Sequence, residues 1–561
     1  MKKNRRHKYI FIIGGVMSGV GKGITTASLG VILKAKGYGV NLVKVDPYLN
    51  VDAGTMNPTE HGETFVLDSG LETDQDMGNY ERFLGVSLTE NDYVTSGMVY
   101  RYVIERERSL GYHGKCVEAI PHVTDEIMRR ITSAASTGRS DITIVEIGGT
   151  IGDYQNALFI EAARILKVRH PEDVMTILVS YMPVPGTIGE MKTKPTQNAV
   201  RQLNSYGLHT DMIVARAPVS VDKKRKEKIA DATSISAQNI ISAPDIDSIY
   251  DVPINFARDN IGDRVLDILQ LVHKRGEHDL SDWKKFVSSI KRSQKTVRIG
   301  IVGKYFDTGD FVLSDAYISV IEAIKFSAYG CGKKPEIVWL NAKKFEKNSS
   351  SLKTLSRLDG IIIPGGFGET GIEGKIRTIE YARKNKIPLL GLCYGMQLMV
   401  VEYARHVLNW KDAHTTEINP KTTHPVIHVM SDQEKKLLKS DYGGTMRLGS
   451  YPAILKKGSY AEMIYGTKKI SERHRHRYEV NNGLRGEIEM AGLVFSGTSP
   501  DGSLAEIAEL SRKKHPFFVG SQFHPELLAR PLRPHPLFTS FIKACVKKSD
   551  RRGYLINKLL I

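Results

Sequence analysis

The chain has 561 residues, too many for a single hydrophobic core, so at least two domains are expected. Hydrophobic residues make up 41% and charged residues 25% of the sequence, which is typical of a globular protein. No run approaches the roughly 20 apolar residues that a membrane span requires. The four cysteines lie far apart without CxxC spacing, which argues against a disulfide framework or a zinc site and favours a reducing cytoplasm.

The charge balance is strongly basic, with 79 lysine and arginine residues against 62 acidic residues and a formal net charge of +17. Such an excess attracts either nucleic acid or polyanionic small molecules. The sequence shows no basic helix with interleaved aromatic residues, no RNA-binding signature and no zinc finger, and its terminal basic clusters are typical of solvated tails. Neither nucleic acid nor a membrane is therefore expected as a partner.

The pattern of apolar residues predicts two α/β domains. Over residues 1–272, short runs rich in valine and isoleucine alternate with amphipathic helical patterns, which predicts a doubly wound domain with a parallel sheet. A polar, lysine-rich stretch at 273–296 is interpreted as a linker. A second α/β alternation covers 297–547, and residues 548–561 are predicted to form a basic C-terminal tail.

A candidate phosphate-binding loop follows the first predicted strand, in "FIIGGVMSGVGKGITTASLG". Glycines let backbone N–H groups approach phosphate oxygens, the following helix contributes its N-terminal dipole, and a lysine adds positive charge. The pattern departs from G-x-x-x-x-G-K-[ST], because Gly15 comes one place early and Gly23 replaces the hydroxyl residue. A glycine-rich turn that binds nothing is the alternative. The loop residues from the turn to the start of the helix are Ser18, Gly19, Val20, Gly21, Lys22 and Gly23, to which the family resemblance described below assigns contact with the ATP phosphates.

Two acidic residues are candidate magnesium ligands. Glu146 ends the strand pattern "DITIVEI", and Asp76 lies in the loop "ETDQDMGNYERF". Mg²⁺ favours a few carboxylates together with waters and phosphate oxygens, which suits this pair. An exposed loop aspartate usually only faces water. The two acids therefore indicate a magnesium site mainly because the sequence also has the glycine-rich loop. Together these features predict binding of ATP with magnesium.

A second basic segment, "GEMKTKPTQNAVRQL", places Lys192 and Lys194 before Pro195, which can start a helix, with Gln197 in its first turns. Lysines and helix N–H groups could hold a second triphosphate. An ordinary basic loop fits the residue pattern equally well, and the pattern alone does not separate the two interpretations.

The stretch "GLCYGMQ" places Cys393 between a buried strand and a helix, and "SQFHPE" places His524 at a strand end with Glu526 two residues later. A histidine oriented by a carboxylate can deprotonate a cysteine thiol. The glycine-rich turn 363–371 and the N–H of Tyr394 could form an oxyanion hole. A buried structural cysteine is the usual alternative. The combination in one α/β domain predicts that Cys393 is a nucleophile.

The motifs also carry a family resemblance. "GLCYGMQ" and "QFHPE" resemble the G-x-C-x-G turn and the H-P-E signature of the class I glutamine amidotransferases. The chain as a whole resembles the CTP synthase family through "GGVMSGVGKGITTASLG", "KVDPYLNVDAGTMNPTEHGE", "VEIGGTIGD", "KTKPTQ", "DIDSIYDVP", "GGTMRLG" and "ERHRHRYEVNN". These motifs are spread over both predicted domains.

The resemblance implies a reaction. ATP would phosphorylate the 4-oxygen of UTP, and ammonia would displace that phosphate to give CTP. The ammonia would come from glutamine hydrolysed at Cys393 and would pass between domains in a tunnel. The resemblance also implies Mg²⁺ with ATP, activation by GTP, inhibition by CTP and cytoplasmic homotetramers, and it leaves filament formation open.

Residue roles follow from the matching motifs. Lys44 would stabilise the transferred phosphoryl group, Ile246 would contact ATP, and Asp76 and Glu146 would hold magnesium. The positions matched to UTP or CTP binding are Ser18, Asp153, Tyr154, Gln155, Lys192, Thr193, Lys194, Pro195, Thr196, Gln197 and Lys228. The positions matched to glutamine binding are Gly366, Tyr394, Gly395, Met396, Gln397, Glu417 and Arg477.

Two stretches depart from the family pattern. The family usually has "GDIES" where this chain has "GDYQN", so Gln155 replaces a glutamate and altered CTP feedback is expected. "SYMPVPGTIGE" also differs from the common form.

Three rival functions are possible. The first is another ATP-dependent amidoligase coupled to a glutaminase, such as the corrinoid amide-forming enzymes. The second is a P-loop switch or filament protein with a vestigial glutaminase, and the third is an RNA-binding protein. "KTKPTQ" and "DPYLNVDAGTMNP" argue against the first, and the intact Cys393, His524 and Glu526 against the second.

Overall fold

The computed structural model describes residues 6–15, 17–137, 140–186, 189–273, 279–303, 314–347, 349–366, 370–430 and 444–559. The chain divides into two compact units. The first unit comprises Met1–Asp52 and Asp76–Val287, and the second comprises Ala53–Gln75 and Ser288–Ile561.

The strands of the described residues are, in chain order, β1 (Lys8–Gly14), β2 (Val40–Asp46), β3 (Phe65–Val66), β4 (Glu72–Thr73), β5 (Tyr93–Thr95), β6 (Ile142–Ile147), β7 (Val174–Tyr181), β8 (Met212–Ala217), β9 (Ile240–Pro244), β10 (Thr296–Gly303), β11 (Lys334–Asn341), β12 (Gly360–Ile363), β13 (Leu389–Leu392), β14 (His414–Thr415), β15 (Pro425–Val429), β16 (Arg447–Leu455), β17 (Lys469–His476), β18 (Tyr478–Val480), β19 (Leu493–Thr498), β20 (Ala505–Leu510) and β21 (Phe518–Ser521).

The helices are α1 (Lys22–Ala35), α2 (Pro58–His61), α3 (Gln75–Leu84), α4 (Ser96–Arg108), α5 (Thr124–Thr137), α6 (Ala157–Arg169), α7 (Lys194–Ser205), α8 (Lys223–Thr233), α9 (Val252–Arg258), α10 (Ile261–Ile268), α11 (Ser281–Arg292), α12 (Ile318–Gly330), α13 (Ala342–Lys347), α14 (Ile372–Lys384), α15 (Tyr394–His406), α16 (Tyr460–Tyr465), α17 (Asn482–Ala491) and α18 (Pro536–Leu559). Within the described ranges, no helix combines the length and the apolar character needed to cross a bilayer.

The sheet of the first unit has the strand order β5-β2-β6-β1-β7-β8-β9, and every neighbouring pair is parallel. Ile10, Phe11, Ile12 and Ile13 of β1 are buried, as expected for a central strand of a parallel sheet. The prediction of a doubly wound α/β domain is confirmed. Because β1, β2 and β6 are neighbours, the residues that end them lie at the same edge of the sheet.

The main sheet of the second unit has the order β11-β10-β12-β13-β21-β20-β19-β16-β17. The pairs from β11 to β21 are parallel, and those from β21 to β17 are antiparallel. Strands β13 and β21 pair in register, with Leu392 opposite Ser521. The residues that follow these two strands are therefore brought to one edge, as the second predicted α/β domain requires.

The predicted boundary of the first domain needs a correction. Ala53–Gln75 belongs to the second unit rather than to a continuous domain over 1–272. Charged side chains fix the segment there: Asp68 accepts a hydrogen bond from Arg473 Nε at 2.6 Å, and Glu63 accepts one from the backbone N–H of Ser319 at 3.1 Å. These contacts join residues far apart in the chain, which a contiguous assignment of domains cannot include.

The predicted linker and tail also need correction. Residues 281–292 form helix α11, whose Trp283, Phe286 and Val287 are buried. The many lysines of this stretch made it look like a polar linker, although its three apolar residues are spaced along one face of a helix. Helix α18 extends through most of the predicted tail, because it starts in a buried segment and each further residue adds a helical hydrogen bond.

We expect Trp283→Ala to lower the free energy of unfolding of the first unit by about 3–5 kcal/mol. The Trp283 indole N–H donates to the carbonyl of Tyr250 at 2.8 Å, and its ring packs near Phe83 and Phe286. Urea unfolding followed by circular dichroism would measure the change. Lys285→Ala on the exposed side of α11 is the control, and an equal effect of both variants would contradict the assignment.

Candidate active sites

The glycine-rich loop lies between β1 and α1, as the sequence predicts. Gly21 has a left-handed backbone with φ of 89° and precedes the first residue of α1, Lys22. The Lys22 ammonium is buried and donates to the carbonyl of Gly149, just after β6, at 2.6 Å. Burial lowers the pKa of Lys22, against the opposing charge of Glu146. Ser18 and Gly19 are exposed and Val20 is buried, so the tip of the loop is open to solvent.

The absence of a hydroxyl residue after Lys22 has a structural reason. A Cβ atom at Gly23 would lie 2.6 Å from Oδ1 of Asp76, so a side chain at this position would displace the Asp76 carboxylate. The Asp76 carboxylate occupies the space beside the first turn of α1 that a serine or threonine would take. The departure from the usual loop pattern and the predicted acid Asp76 are therefore two parts of one arrangement.

Lys44 lies among the predicted acids. Its ammonium bonds to Asp76, lies 3.0 Å from Oε1 of Glu146, and is 3.7 Å from Oδ1 of Asp46. The register of the sheet explains this arrangement, because Lys44 on β2 pairs with Glu146 on β6. Tyr80 donates its hydroxyl to the other oxygen of Glu146. The structure thus brings Lys44, Asp76 and Glu146 together and adds Asp46, which the sequence analysis missed.

The charges of this cluster compensate one another. Burial opposes the charge of Lys44, but Asp76, Glu146 and Asp46 outweigh it and hold the pKa of Lys44 well above its usual value. Burial raises the pKa of Asp46, although Lys44 opposes this. Burial also acts against the charge of Asp76, but Lys44 prevails and lowers the pKa of that carboxyl. The lysine is therefore a fixed positive charge at the edge of the sheet.

The carboxylates of this cluster suit a hard cation. Oδ2 of Asp46 is buried and has no hydrogen-bond partner among the described residues. In the described part of the chain, no group of three or more histidine, cysteine, aspartate or glutamate side chains is arranged to hold a metal ion. Mg²⁺ bound beside triphosphate needs only one or two carboxylates, since waters and phosphate oxygens complete its octahedron. Asp76 and Glu146 fit that requirement.

One cation near the loop was missed by the sequence analysis. A Cβ atom at Gly21 would lie 2.6 Å from a terminal nitrogen of Arg216, so this guanidinium lies against the glycine-rich loop. Arg216 is on β8 and also lies 3.3 Å from Asp245. Its signal in the sequence is a lone arginine in the apolar strand "MIVARA". The predicted Ile246 is half-buried in the turn after β9, one residue beyond Asp245.

The second basic segment begins helix α7 as predicted. Thr193 precedes α7 and receives a hydrogen bond from Gln197 Nε2 at 3.2 Å, while Thr196 is 3.0 Å from Ser180. Pro195 occupies the first turn. The Lys192 ammonium bonds to Glu190 at 2.6 Å, and the charges of Lys192, Lys228 and Arg225 all lower the pKa of Glu190. Cations from two elements thus converge here.

The remaining predicted nucleotide contacts lie in and after the loop that follows β6. Oδ2 of Asp153 accepts the backbone N–H of Thr150 at 2.6 Å. Tyr154 is 95% exposed and Gln155 is also exposed, so both side chains are open to a ligand. Lys194 is exposed at the start of α7, and Lys228 is exposed on α8.

Cys393 stands on a strained turn between β13 and α15. Its φ of 49° and ψ of −102° are unfavourable for a residue with a side chain, and such outliers cluster at active sites. The turn is held tightly, because a Cβ at Gly395 would lie 2.1 Å from the carbonyl of Ile363. The Cys393 N–H donates to Ser521 on β21 at 2.6 Å. These contacts give the backbone of a nucleophile elbow.

His524 and Glu526 complete the predicted arrangement. Nδ1 of His524 is 2.7 Å from Oε1 of Glu526. Burial opposes protonation, but Glu526 and Cys393 outweigh it and hold the pKa of His524 well above its usual value. Nε2 of His524 is buried without a hydrogen-bond partner in the described ranges. A Cβ at Gly365 would lie 2.9 Å from the His524 ring and 3.7 Å from Cβ of Cys393, so both flank that glycine.

A cavity of about 90 Å³ adjoins Cys393, His524, Glu526 and Gly366. Part of its lining comes from the segment Ala53–Gln75, which contributes Pro58, Glu63 and Thr64. The sequence analysis missed these three residues, and among the other lining residues it also missed Tyr317 and Arg475. Arg475 Nε donates to the buried carboxylate of Glu72 at 2.7 Å. The alternation of "RHRHR" along β17 was the available signal, since Arg473 and Arg475 share one face of the strand.

The other predicted glutamine contacts are placed elsewhere. Within the described residues, the lining of this cavity includes neither Tyr394, Gly395, Met396 and Gln397 nor Glu417 and Arg477. Gln397 Nε2 donates to the carbonyl of Tyr478 at 2.8 Å and to Gln522 at 3.2 Å. Gln522 in turn lies 3.6 Å from the Cys393 sulfur. Gln397 therefore supports the nucleophile through Gln522, whereas Glu417 is half-buried and Arg477 is buried.

Comparison with known proteins defines the class of this two-unit chain. Residues 8–271 match the family model "CTP synthase N-terminus", and residues 312–544 match "Glutamine amidotransferase class-I". The chain is 47% identical over 538 residues to the CTP synthase of Caldanaerobacter subterraneus subsp. tengcongensis, with 96% of this chain and 98% of that protein covered.

It is also 45% identical to the CTP synthase of Methanothermobacter thermautotrophicus, with 97% and 99% of the two chains covered. A similar solved structure is the glutaminase domain of Trypanosoma brucei CTPS with bound acivicin, at 35% identity and a TM-score of 0.41 over 45% of this chain and 94% of that one. The chain belongs to the CTP synthase family and carries both domains of this glutamine-hydrolysing ligase family.

We expect Glu526→Gln to lower the rate of glutamine hydrolysis by about 10²-fold or more, because the histidine loses the carboxylate that orients it. The same change should lower the pKa of His524, since Glu526 favours the protonated ring. Glutamate release and an NMR titration of histidine would measure the two effects. Glu487→Gln, at an exposed position of α17, is the control. An unchanged rate with a folded protein would contradict the role of Glu526.

Proposed function

We propose that this protein makes CTP from UTP, ATP and glutamine through a 4-phosphorylated UTP intermediate. The observation that carries the proposal is the strained Cys393 turn with His524 and Glu526 beside it, in a chain whose other unit holds Lys44 among carboxylates. The first arrangement suits glutamine hydrolysis and the second suits phosphoryl transfer. A source of ammonia and a 4-oxygen activated as a leaving group are the two requirements for bonding nitrogen to C4 of a pyrimidine in place of that oxygen.

In the first unit, the glycine-rich loop would bind the ATP phosphates through its backbone N–H groups and Lys22. Lys44 would stabilise the charge that develops on the transferred phosphoryl group, which is the main demand of such a reaction. Asp76 and Glu146 would hold Mg²⁺. When bound, the metal would neutralise phosphate charge. Fixed charges at this edge need no reorganisation during the transfer.

The pyrimidine nucleotide would bind at the start of α7. Lys192 and Lys228 both lower the pKa of Glu190. A phosphate bound between these two lysines would replace the Glu190 carboxylate as their anionic partner. Thr193, Lys194 and Gln197 would supply hydrogen bonds to the phosphates. Asp153, Tyr154 and Gln155 would border the site at which CTP inhibits.

In the second unit, Cys393 would attack the glutamine amide, with His524 moving the proton. Gly366 and the N–H of Tyr394 would bind the oxyanion, and Glu417 and Arg477 would recognise the substrate. The cavity beside Cys393 has the volume of about three water molecules, which suits ammonia. It is lined in part by Ala53–Gln75, whose two ends continue into the first unit, so this segment would begin the ammonia path.

Regulation and assembly belong to the same proposal. We propose GTP as activator, a homotetramer as the assembled form and the cytoplasm as the location, on the basis of family membership.

The coupled assay tests the proposal. The protein is incubated with UTP, ATP and magnesium and with either glutamine plus GTP or ammonium, and CTP is separated by chromatography. We expect CTP from both nitrogen sources. Cys393→Ala should abolish only the glutamine route, while Lys44→Met should reduce both by at least about 10²-fold. Cys331→Ala, at a half-buried free cysteine, should keep both routes.

Each outcome of that assay is informative. CTP from ammonium alone would mean that the ligase acts and that the glutaminase or the ammonia path fails. No CTP from either source, with a folded protein, would contradict the proposal and favour another ATP-dependent amidoligase reaction.

We expect Gln155→Glu to change the CTP concentration that gives half-inhibition by roughly threefold or more, because a carboxylate only accepts hydrogen bonds whereas an amide also donates them. Gln155 is exposed, so the substitution leaves the core unaltered. Initial rates at increasing CTP would measure the change. Gln238→Glu adds the same charge at another exposed position of the first unit. Equal inhibition of Gln155→Glu and the parent protein would contradict this role.

A further inference from the structure

A cavity of about 810 Å³ lies in the second unit, far from the residues assigned above. It is formed by the turn 511–516 between β20 and β21 together with α16 and α18. Pro388 and Pro516, which line it, precede β13 and β21. Cys393 and His524 follow the same two strands. Because β13 and β21 are parallel, this cavity is at the opposite edge of the sheet from the glutaminase site.

The lining of this cavity is almost purely cationic. None of its lining residues is acidic, and eight are lysine or arginine. Within the described residues, no ion pair joins an acid to any of six of them, which are Lys386, Arg512, Lys513, Lys514, Lys543 and Lys547. Lys548 donates to the carbonyl of Leu358. Unpaired like charges in a concave surface repel one another and raise the local positive potential, so an anion would be attracted strongly.

Neutral groups in the cavity are placed to help an anion. The hydroxyls of Tyr460 and Ser540 lie 2.9 Å apart, and each can donate to an oxygen. Arg512 lies over the Tyr460 ring at 5.1 Å, which fixes its guanidinium on the wall. His515 is buried and takes no part, because its Nε2 lies 3.2 Å from the carbonyl of Ala382 and its Nδ1 accepts the N–H of Phe517 at 3.3 Å.

We propose that this cavity is a binding site for a polyphosphate, either free or as the phosphate chain of a nucleotide. Its volume falls within the range of small-molecule sites, roughly 300–1,000 Å³. Six cations without acidic partners exceed what one monovalent anion can neutralise and match the several charges of a triphosphate. A cavity walled by two helices and a turn favours a compact soluble ligand over a long nucleic acid.

The direct experiment is lysine footprinting of the full-length protein. Sodium tripolyphosphate is added, surface lysines are acetylated briefly, and mass spectrometry reports the modification of each lysine. We expect protection of Lys513, Lys543 and Lys547, while the exposed Lys343 and Lys344 of α13 react as before. Protection at Lys22 or Lys192 would report the sites of the first unit and does not interfere, because each lysine is measured separately. Equal reactivity of the cavity lysines with and without tripolyphosphate would overturn the proposal.

A pair of matched variants tests the charge requirement. Lys513→Gln/Lys547→Gln should weaken the protection of Lys543 by about tenfold in tripolyphosphate concentration, whereas Lys343→Gln/Lys344→Gln should leave it unchanged. Circular dichroism would verify that both variants fold. Equal weakening by both pairs would mean general charge attraction and would overturn the site.

Two further probes identify the source of the phosphate. If nucleoside triphosphates protect the cavity lysines at the same concentration as tripolyphosphate does, the site binds the phosphate chain alone. If one nucleotide protects them at a lower concentration, the site recognises its base as well. Either result supports the proposal. Protection by a single-stranded RNA oligonucleotide that tripolyphosphate fails to displace would overturn it in favour of a nucleic-acid surface.

Discussion

Both candidate sites depend on one constraint, the parallel pairing of neighbouring strands. Parallel strands end at the same edge of their sheet, so residues distant in the chain meet there. In the first unit this edge joins the glycine-rich loop after β1 to Lys44 on β2 and Glu146 on β6. In the second unit the same rule brings Cys393 and His524 together after β13 and β21. The chemistry in each unit is therefore a consequence of strand order.

The candidate sites at the two sheet edges are held in place by different physical effects. Around Lys44, buried charges of opposite sign compensate one another, and removal of one partner from such a group costs about 3–5 kcal/mol. At Cys393, the cost is a backbone conformation that a side chain disfavours, held by the close packing of Gly395 on Ile363. Charge compensation holds the Lys44 ammonium among carboxylates, whereas backbone strain holds Cys393 on its turn beside His524.

Much of the fold and of the two candidate sites could be predicted from the sequence, because short stretches of neighbouring residues determine these features. The strands, the turn at Cys393 and the approach of His524 to Glu526 all follow from residues adjacent in the chain. What escaped prediction depends on contacts between distant residues: the placement of Ala53–Gln75 in the second unit, the pairing of Glu72 with Arg475, and the burial of Trp283 under Tyr250. No composition or spacing rule specifies such partners, since each partner alone resembles a surface residue.

The segment Ala53–Gln75 belongs to the second unit but is joined at both ends to residues of the first unit. Within the second unit it lines the cavity beside Cys393 and pairs with Arg475. Its C-terminal residue is followed directly by Asp76, which bonds to Lys44, and residues 47–52 join its start to β2. The covalent chain therefore joins residues beside the Cys393 cavity to Asp76 at one end and to β2, which carries Lys44, at the other. Four peptide units separate Glu72 from Asp76, so the contact of Glu72 with Arg475 and the contact of Asp76 with Lys44 are held on one short stretch of chain.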